Sequence, residues 1–191
     1  MSGKTPHIVL GVTGSIAAYK AAELVRLITK RGWAVSVVMT RCAAEFVTPL
    51  TFQTLSRNAV GTGLFDEKDG WHPEHIAYAD RADVLAIAPC TANVLAKLAH
   101  GLADDLLSCT ALATRAPVVV APAMNVKMWE HLATQANVDL LRARAVAFVG
   151  PAAGDLACGY EGSGRMVEPD AILRAVEAAL AGVVREKGLT L

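Results

Sequence analysis

The stretch Ile8-Val9-Leu10-Gly11-Val12-Thr13-Gly14-Ser15 decides the fold. The run His7–Val12 is short, apolar after its first residue and closed by glycines, the signature of a strand buried on both faces. From Ser15 to Lys30, residues Ile16, Leu24, Val25 and Ile28 are spaced for one helix face. A strand that turns through glycine into a helix is where a parallel α/β sheet holds a phosphate. Glycines such as Gly14 let the backbone approach, and the helix start supplies N–H donors and positive potential. Ser15 can cap that helix and also bond a phosphate oxygen. A Gly-Ser turn that only caps a helix would look the same.

Working outward, apolar runs alternate with helical stretches. Ala34–Met39, Val84–Ala88, Val118–Ala121 and Ala145–Val149 read as strands, with Asn58–Val60 as a short sixth. Helices fit 91–99, 104–114, 134–144 and 169–184, while 46–55 mixes helix and turn signals. Strand–helix alternation predicts an α/β protein: a Rossmann-like, doubly wound parallel sheet of about six strands in a single domain over 1–191. The second strand ends Val38-Met39-Thr40, without the Asp or Glu that would hold an adenine ribose, and the turn is not GxGxxG. Both departures favour a mononucleotide over a dinucleotide, with Thr40 as a second phosphate contact. The stretch from Gly150 to Val167 is rich in glycine and lacks periodicity, so it reads as a long loop serving as a substrate flap.

Composition excludes several classes. Apolar residues make up 53% and aromatics 5%, so the core is built from Ala, Val, Leu and Ile. Formal net charge is zero and no basic stripe occurs, which argues against a nucleic-acid partner. The polar start Met1–Thr5 and the absence of an apolar run of ~20 residues predict a cytoplasmic protein with no membrane part. Cys42, Cys90, Cys109 and Cys158 form no CxxC pair, so no metal is expected and the thiols are read as free. Cys109 and Cys42 are expected to be buried, Cys90 to pack in a wall, and Cys158, in the glycine-rich flap, to have a chemical role.

The later strand ends are more specific. Ala88-Pro89-Cys90-Thr91-Ala92-Asn93 precedes Ala96-Lys97-Leu98-Ala99 and Gly101-Leu102-Ala103-Asp104-Asp105-Leu106-Leu107. Ala121-Pro122-Ala123-Met124-Asn125, Met128-Trp129, Ala157-Cys158-Gly159 and Gly162-Ser163-Gly164-Arg165-Met166 follow. Together with Gly14–Lys20 and Thr48–Phe52, these motifs resemble the homo-oligomeric flavin-containing cysteine decarboxylases over nearly the whole chain. The resemblance implies FMN as cofactor, contacted by Gly14, Ser15, Ile16, Thr40, Thr91, Ala92, Asn93 and Ala123. It implies catalytic roles for His75, Asn125 and Cys158, with His72 a weaker candidate than His75, and substrate contacts by Asn125, Met128 and Arg165.

The branch of the family that it most resembles acts in coenzyme A synthesis, as a carboxy-lyase turning 4′-phosphopantothenoylcysteine into 4′-phosphopantetheine. The thiol-bearing carbon is oxidised to a thioaldehyde, carbon dioxide leaves to give an ene-thiolate, and a returned hydride and proton complete the product. By resemblance His75 serves the first half, Asn125 orients the carboxylate and Cys158 gives the last proton. A homo-oligomer, trimer or dodecamer, is implied, as is a C-terminal synthetase partner that is fused in many bacteria. The alternatives are a flavin prenyltransferase, a peptidyl-cysteine decarboxylase and a non-catalytic FMN-binding regulatory protein.

Overall fold

The computed structural model describes residues 5–65, 73–155 and 161–186. Along the chain run β1 (His7–Val12), α1 (Ala18–Lys30), β2 (Ala34–Met39), α2 (Arg41–Ala44), α3 (Pro49–Ser56), α4 (Glu74–Arg81), β3 (Val84–Cys90) and α5 (Ala92–His100). Then come α6 (Leu106–Ala113), β4 (Val118–Pro122), α7 (Val126–Glu130), α8 (Leu132–Ala143), β5 (Ala147–Phe148), β6 (Ala152–Asp155), β7 (Glu161–Arg165) and α9 (Pro169–Glu186). Strands β1 to β5 form one parallel sheet in the order β2-β1-β3-β4-β5. The order reverses direction between β1 and β3. In sheets of this kind ligands bind beside that switch point, at the strands' C-terminal ends.

Both faces are covered, as the continuous apolar strands require. One core packs Leu24, Val25 and Ile28 of α1, Phe52 of α3 and Ile172, Leu173 and Val176 of α9 against Ile8, Leu10, Val35 and Val37. The opposite core packs Leu95 of α5, Leu106 and Leu107 of α6 and Val138 and Leu141 of α8 against Val9, Leu85, Ile87 and Val120. The doubly wound α/β class expected from the sequence is therefore the one formed.

Three expectations change in detail. The sixth strand at Asn58–Val60 is reduced to a single parallel bridge, Val38 to Gly61, so the main sheet has five strands. Ile16 does not join the buried stripe of α1: the helix begins at Ala18, and Ile16 sits in the preceding turn, exposed. The stretch 150–167 is not a plain loop, because β6 and β7 pair there as an antiparallel hairpin with an irregularity between Ala152 and Ala153.

The Lys97 and Asp104-Asp105 motif is a structural lock. Lys97 Nζ donates to Asp104 Oδ1 at 2.6 Å and to Asp105 Oδ2 at 2.7 Å. Asp105 also caps α6, its Oδ1 accepting from the Ser108 N–H at 2.8 Å, with Ser108 answering the Asp105 N–H in a capping box. Partial burial pushes the Asp105 carboxyl up, but the Lys97 and Ser108 hydrogen bonds outweigh it and hold it below the usual carboxylate range. A carboxyl lowered on folding stabilises the fold above its unfolded value of about 4, and that contribution is lost as pH falls through the lower folded value. Asp105→Asn keeps a capping side chain but removes the titration. We expect the wild type to melt roughly 2–4 °C above this variant at pH 7, the response of a domain this size to about 1 kcal/mol. The gap should close in acid. Melting curves that stay parallel from neutral to acid pH would contradict this role.

Candidate functional site at the switch point

The site is built from turns that leave the C-terminal edge of the sheet. After β1 the chain runs Thr13-Gly14-Ser15 into α1, and Ser15 Oγ accepts from the Ala17 N–H at 3.3 Å while its carbonyl accepts from Ala18 N–H. No acidic residue stands in the first turn of α1 or of α5, so neither helix start repels an anion. Gly14 packs directly against Cys42 of α2, where a side chain would collide with the Cys42 Cβ and come within 3.2 Å of its carbonyl oxygen. This close approach draws the end of β2 to the Gly-Ser turn, and Thr40 N–H donates to Val12 O at 3.0 Å.

Thr40 Oγ1 is buried and has no hydrogen-bond partner. A hydroxyl left unmatched in a folded interior calls for a ligand. Lying beside the Gly14-Ser15 turn, it fits a phosphate, so the residues expected to hold the phosphate end of FMN suit that group.

Across the switch point, Thr91 caps α5, its hydroxyl accepting from Val94 N–H at 3.4 Å. Ala92 is half-buried and Asn93 exposed. The two turns are joined by Thr13, a residue not singled out from the sequence. It is fully buried; its Oγ1 donates to Pro89 O at 2.7 Å and accepts from Thr91 N–H at 3.2 Å. A small hydroxyl residue in the last apolar position before a Gly-Ser turn was the available signal, since a buried hydroxyl must find partners. Ala123 is buried and tied to the same edge, its N–H donating to Cys90 O at 3.0 Å. Cys90 is sealed in the core and burial pushes its thiol well above the ordinary value, which suits a wall and not a reactive group. The expectation of burial fails for Cys42, which is exposed on α2, and for Cys109, which is half-exposed on α6.

Asn125 follows β4 and caps α7, with Oδ1 accepting from Lys127 N–H at 2.9 Å. That bond uses the acceptor edge of the amide, whose Nδ2 is a donor. Met128, one turn on, is 49% exposed. The β6–β7 hairpin is docked on this turn. Met124 N–H donates to Gly164 O at 2.9 Å, and a side chain at Gly162 would come within 2.8 Å of Val126. At Gly164, where φ is +155°, a side chain would press into the Met124 carbonyl oxygen. The flap is thus anchored to the strand end that carries Asn125, Gly164 against backbone and Gly162 against the Val126 side chain.

Arg165 ends β7 and is engaged by Glu168, Nη2 to Oε1 at 2.8 Å. Lys20 of α1 grips the same carboxylate oxygen at 2.8 Å, so the base of the flap is pinned to the helix that starts at the Gly-Ser turn. Hydrogen bonding to Lys20, helped by Arg165, holds the Glu168 carboxyl below its usual range. His75 is the second residue of α4 and is half-buried. Helix α4 leads through Ala82 and Asp83 into β3. His72 and Cys158 lie outside the described residues.

The doubly wound parallel sheet, with glycine- and hydroxyl-bearing turns at its switch point, defines an α/β protein of the kind that binds ligands at that edge. Within that class the chain belongs to the Flavoprotein family, whose model matches residues 2–181. It is 47% identical over 171 residues to the coenzyme A biosynthesis bifunctional protein CoaBC of Bacillus subtilis, covering 90% of this chain and 42% of that protein. The chain therefore spans less than half the length of such bifunctional relatives. It is 45% identical to a probable phosphopantothenoylcysteine decarboxylase of Streptococcus mutans, covering 92% of this chain and 99% of that one. Among solved structures it is similar to a PPC decarboxylase cysteine-to-serine variant complexed with pantothenoylaminoethenethiol, with TM-score 0.82, 33% identity and coverage of 92% and 98%. It is also similar to the FMN-dependent cysteine decarboxylase SpaF, with TM-score 0.80, 34% identity and coverage of 93% and 96%.

Proposed function

We propose that this chain is an FMN-dependent carboxy-lyase that converts 4′-phosphopantothenoylcysteine into 4′-phosphopantetheine in coenzyme A biosynthesis. The observation that carries the reading is the joint placement of the orphaned Thr40 hydroxyl, the Thr13-linked turns and Asn125 along one sheet edge. It is supported by near full-length similarity to the decarboxylase of Streptococcus mutans. Ser15, Thr40 and the turns at Gly14, Ile16, Thr91, Ala92, Asn93 and Ala123 would hold the cofactor.

FMN, when bound, supplies a reversible two-electron store for the thiol-bearing carbon of the substrate. The chain does the rest. Asn125 donates from Nδ2 to the substrate carboxylate and fixes its orientation. The His75 imidazole takes up the thiol proton as that carbon is oxidised, a task its ring nitrogens can perform because each can accept or donate a proton. Cys158 Sγ returns a proton to the ene-thiolate carbon. Arg165 leaves Glu168 for the substrate phosphate as the flap closes, since a bidentate guanidinium suits both partners. Met128 lines the substrate side.

The reaction is cytoplasmic and the assembly a homo-oligomer built on trimers. Exposed apolar side chains support a subunit contact beside the site: Ile16 and Tyr19 near the start of α1, and Phe46 and Leu50 near the start of α3, which packs on α1. Light scattering is expected to give the mass of a trimer or a multiple of it; a fully active FMN-bound monomer would remove this idea. A synthetase that joins phosphopantothenate to cysteine is the functional partner, fused or separate. No helix among the described residues is long and apolar enough to cross a membrane.

The reading is tested by offering the purified, yellow protein two substrates in parallel, 4′-phosphopantothenoylcysteine and a peptide ending in cysteine. Turnover of the first alone is expected. Turnover of the peptide alone would assign the chain to the peptide-directed branch of the family.

A further inference from the structure

We propose that Thr13 is a positioning residue that sets the two halves of the cofactor cradle in register before FMN arrives; this rests on the assignment of FMN to the switch point. Strands β1 and β3 are paired through Gly11 and Ile87 and then part, because one chain must turn into α1 and the other into α5. Beyond that point the backbone ladder cannot hold the turns together. The Thr13 hydroxyl continues it. It donates to Pro89 O at 2.7 Å and accepts from Thr91 N–H at 3.2 Å, bridging positions 76 and 78 residues away in sequence.

Thr13 is fully buried and immediately precedes Gly14 and Ser15, while Thr91 caps α5 and immediately precedes Ala92 and Asn93. One hydroxyl therefore fixes the separation of the phosphate turn from the turn on the other side of the switch point. A hydroxyl is the one small side-chain group that can donate and accept at the same time. Valine, of nearly the same shape, can do neither, and it leaves Pro89 O and Thr91 N–H to relax independently.

The test strips FMN from wild type, Thr13→Val and Thr13→Ser and titrates it back, following flavin fluorescence and the visible band. Thr13→Ser, which keeps the hydroxyl, should bind within about twofold of wild type, and Thr13→Val should bind about tenfold more weakly or worse with an altered flavin spectrum. Thermal melting of the FMN-free proteins is measured alongside. If Thr13→Val melts lower yet binds FMN with wild-type affinity and spectrum, the residue is merely structural and the proposal falls. Failure of the wild type to rebind FMN would overturn the cofactor assignment, and the proposal with it. Should Thr13→Val not fold, amide exchange in FMN-free wild type decides: slow exchange at Thr91 supports a link formed in advance, and solvent-like exchange overturns it.

Discussion

Cys158→Ser should still release carbon dioxide in a single turnover but yield an ene-thiol instead of 4′-phosphopantetheine. The proposed reaction separates loss of carbon dioxide from the reduction that follows, and Cys158 is assigned only to the proton of that second stage. A thiol titrates ordinarily near 8.5, whereas a serine hydroxyl is a far weaker acid and cannot take over at neutral pH. The atoms balance: substrate less carbon dioxide and two hydrogens is the ene-thiol, and those two hydrogens are what the second stage would have restored. We expect reduced product to fall by at least about a hundredfold, the usual scale for losing a positioned acid. Mass spectrometry of the quenched reaction reads it, with Cys109→Ser on α6 as control. Normal product at the normal rate would place the proton donor elsewhere. No carbon dioxide at all would move Cys158 into the first stage.

His75→Asn is the complementary experiment. His75 stands in the first turn of α4, outside the turns assigned to FMN. Its loss should abolish carbon dioxide release, by roughly a hundredfold to ten-thousandfold for an acid–base group, while leaving the protein yellow. Asparagine is close in size and polar, so packing is disturbed little. A colourless variant would instead make His75 a cofactor or folding residue, and undiminished turnover would turn attention to His72.

The main sheet was legible because its strands are buried on both faces. Such strands appear as unbroken apolar runs, and Ile8–Val12, Val84–Ala88 and Val118–Ala121 announce themselves without help from periodicity. The turns were legible for a related reason: glycine, threonine and asparagine stand where strands hand over to helices. The hairpin at 152–165 was not. Its strands are short, and Gly162 and Gly164 make room for the Val126 side chain and the Met124 carbonyl, which leaves no alternating side-chain pattern to read. Ile16 misled because helical spacing cannot reveal that the helix begins two residues later. Thr13 was overlooked because a lone threonine carries no motif; its meaning lies in Pro89 and Thr91, far away in sequence. The Asp104-Asp105 pair is similar, since only the fold brings Lys97 onto both carboxylates.

The proposed decarboxylation is redox-neutral, and the mass of the wild-type product tests it most directly. Purified protein with bound FMN is given 4′-phosphopantothenoylcysteine without any added oxidant or reductant. The predicted product is lighter than the substrate by one carbon dioxide and by nothing else, formed over many turnovers. A substrate left intact by the FMN-bound protein, or a wild-type product that also lacks two hydrogens, would contradict it.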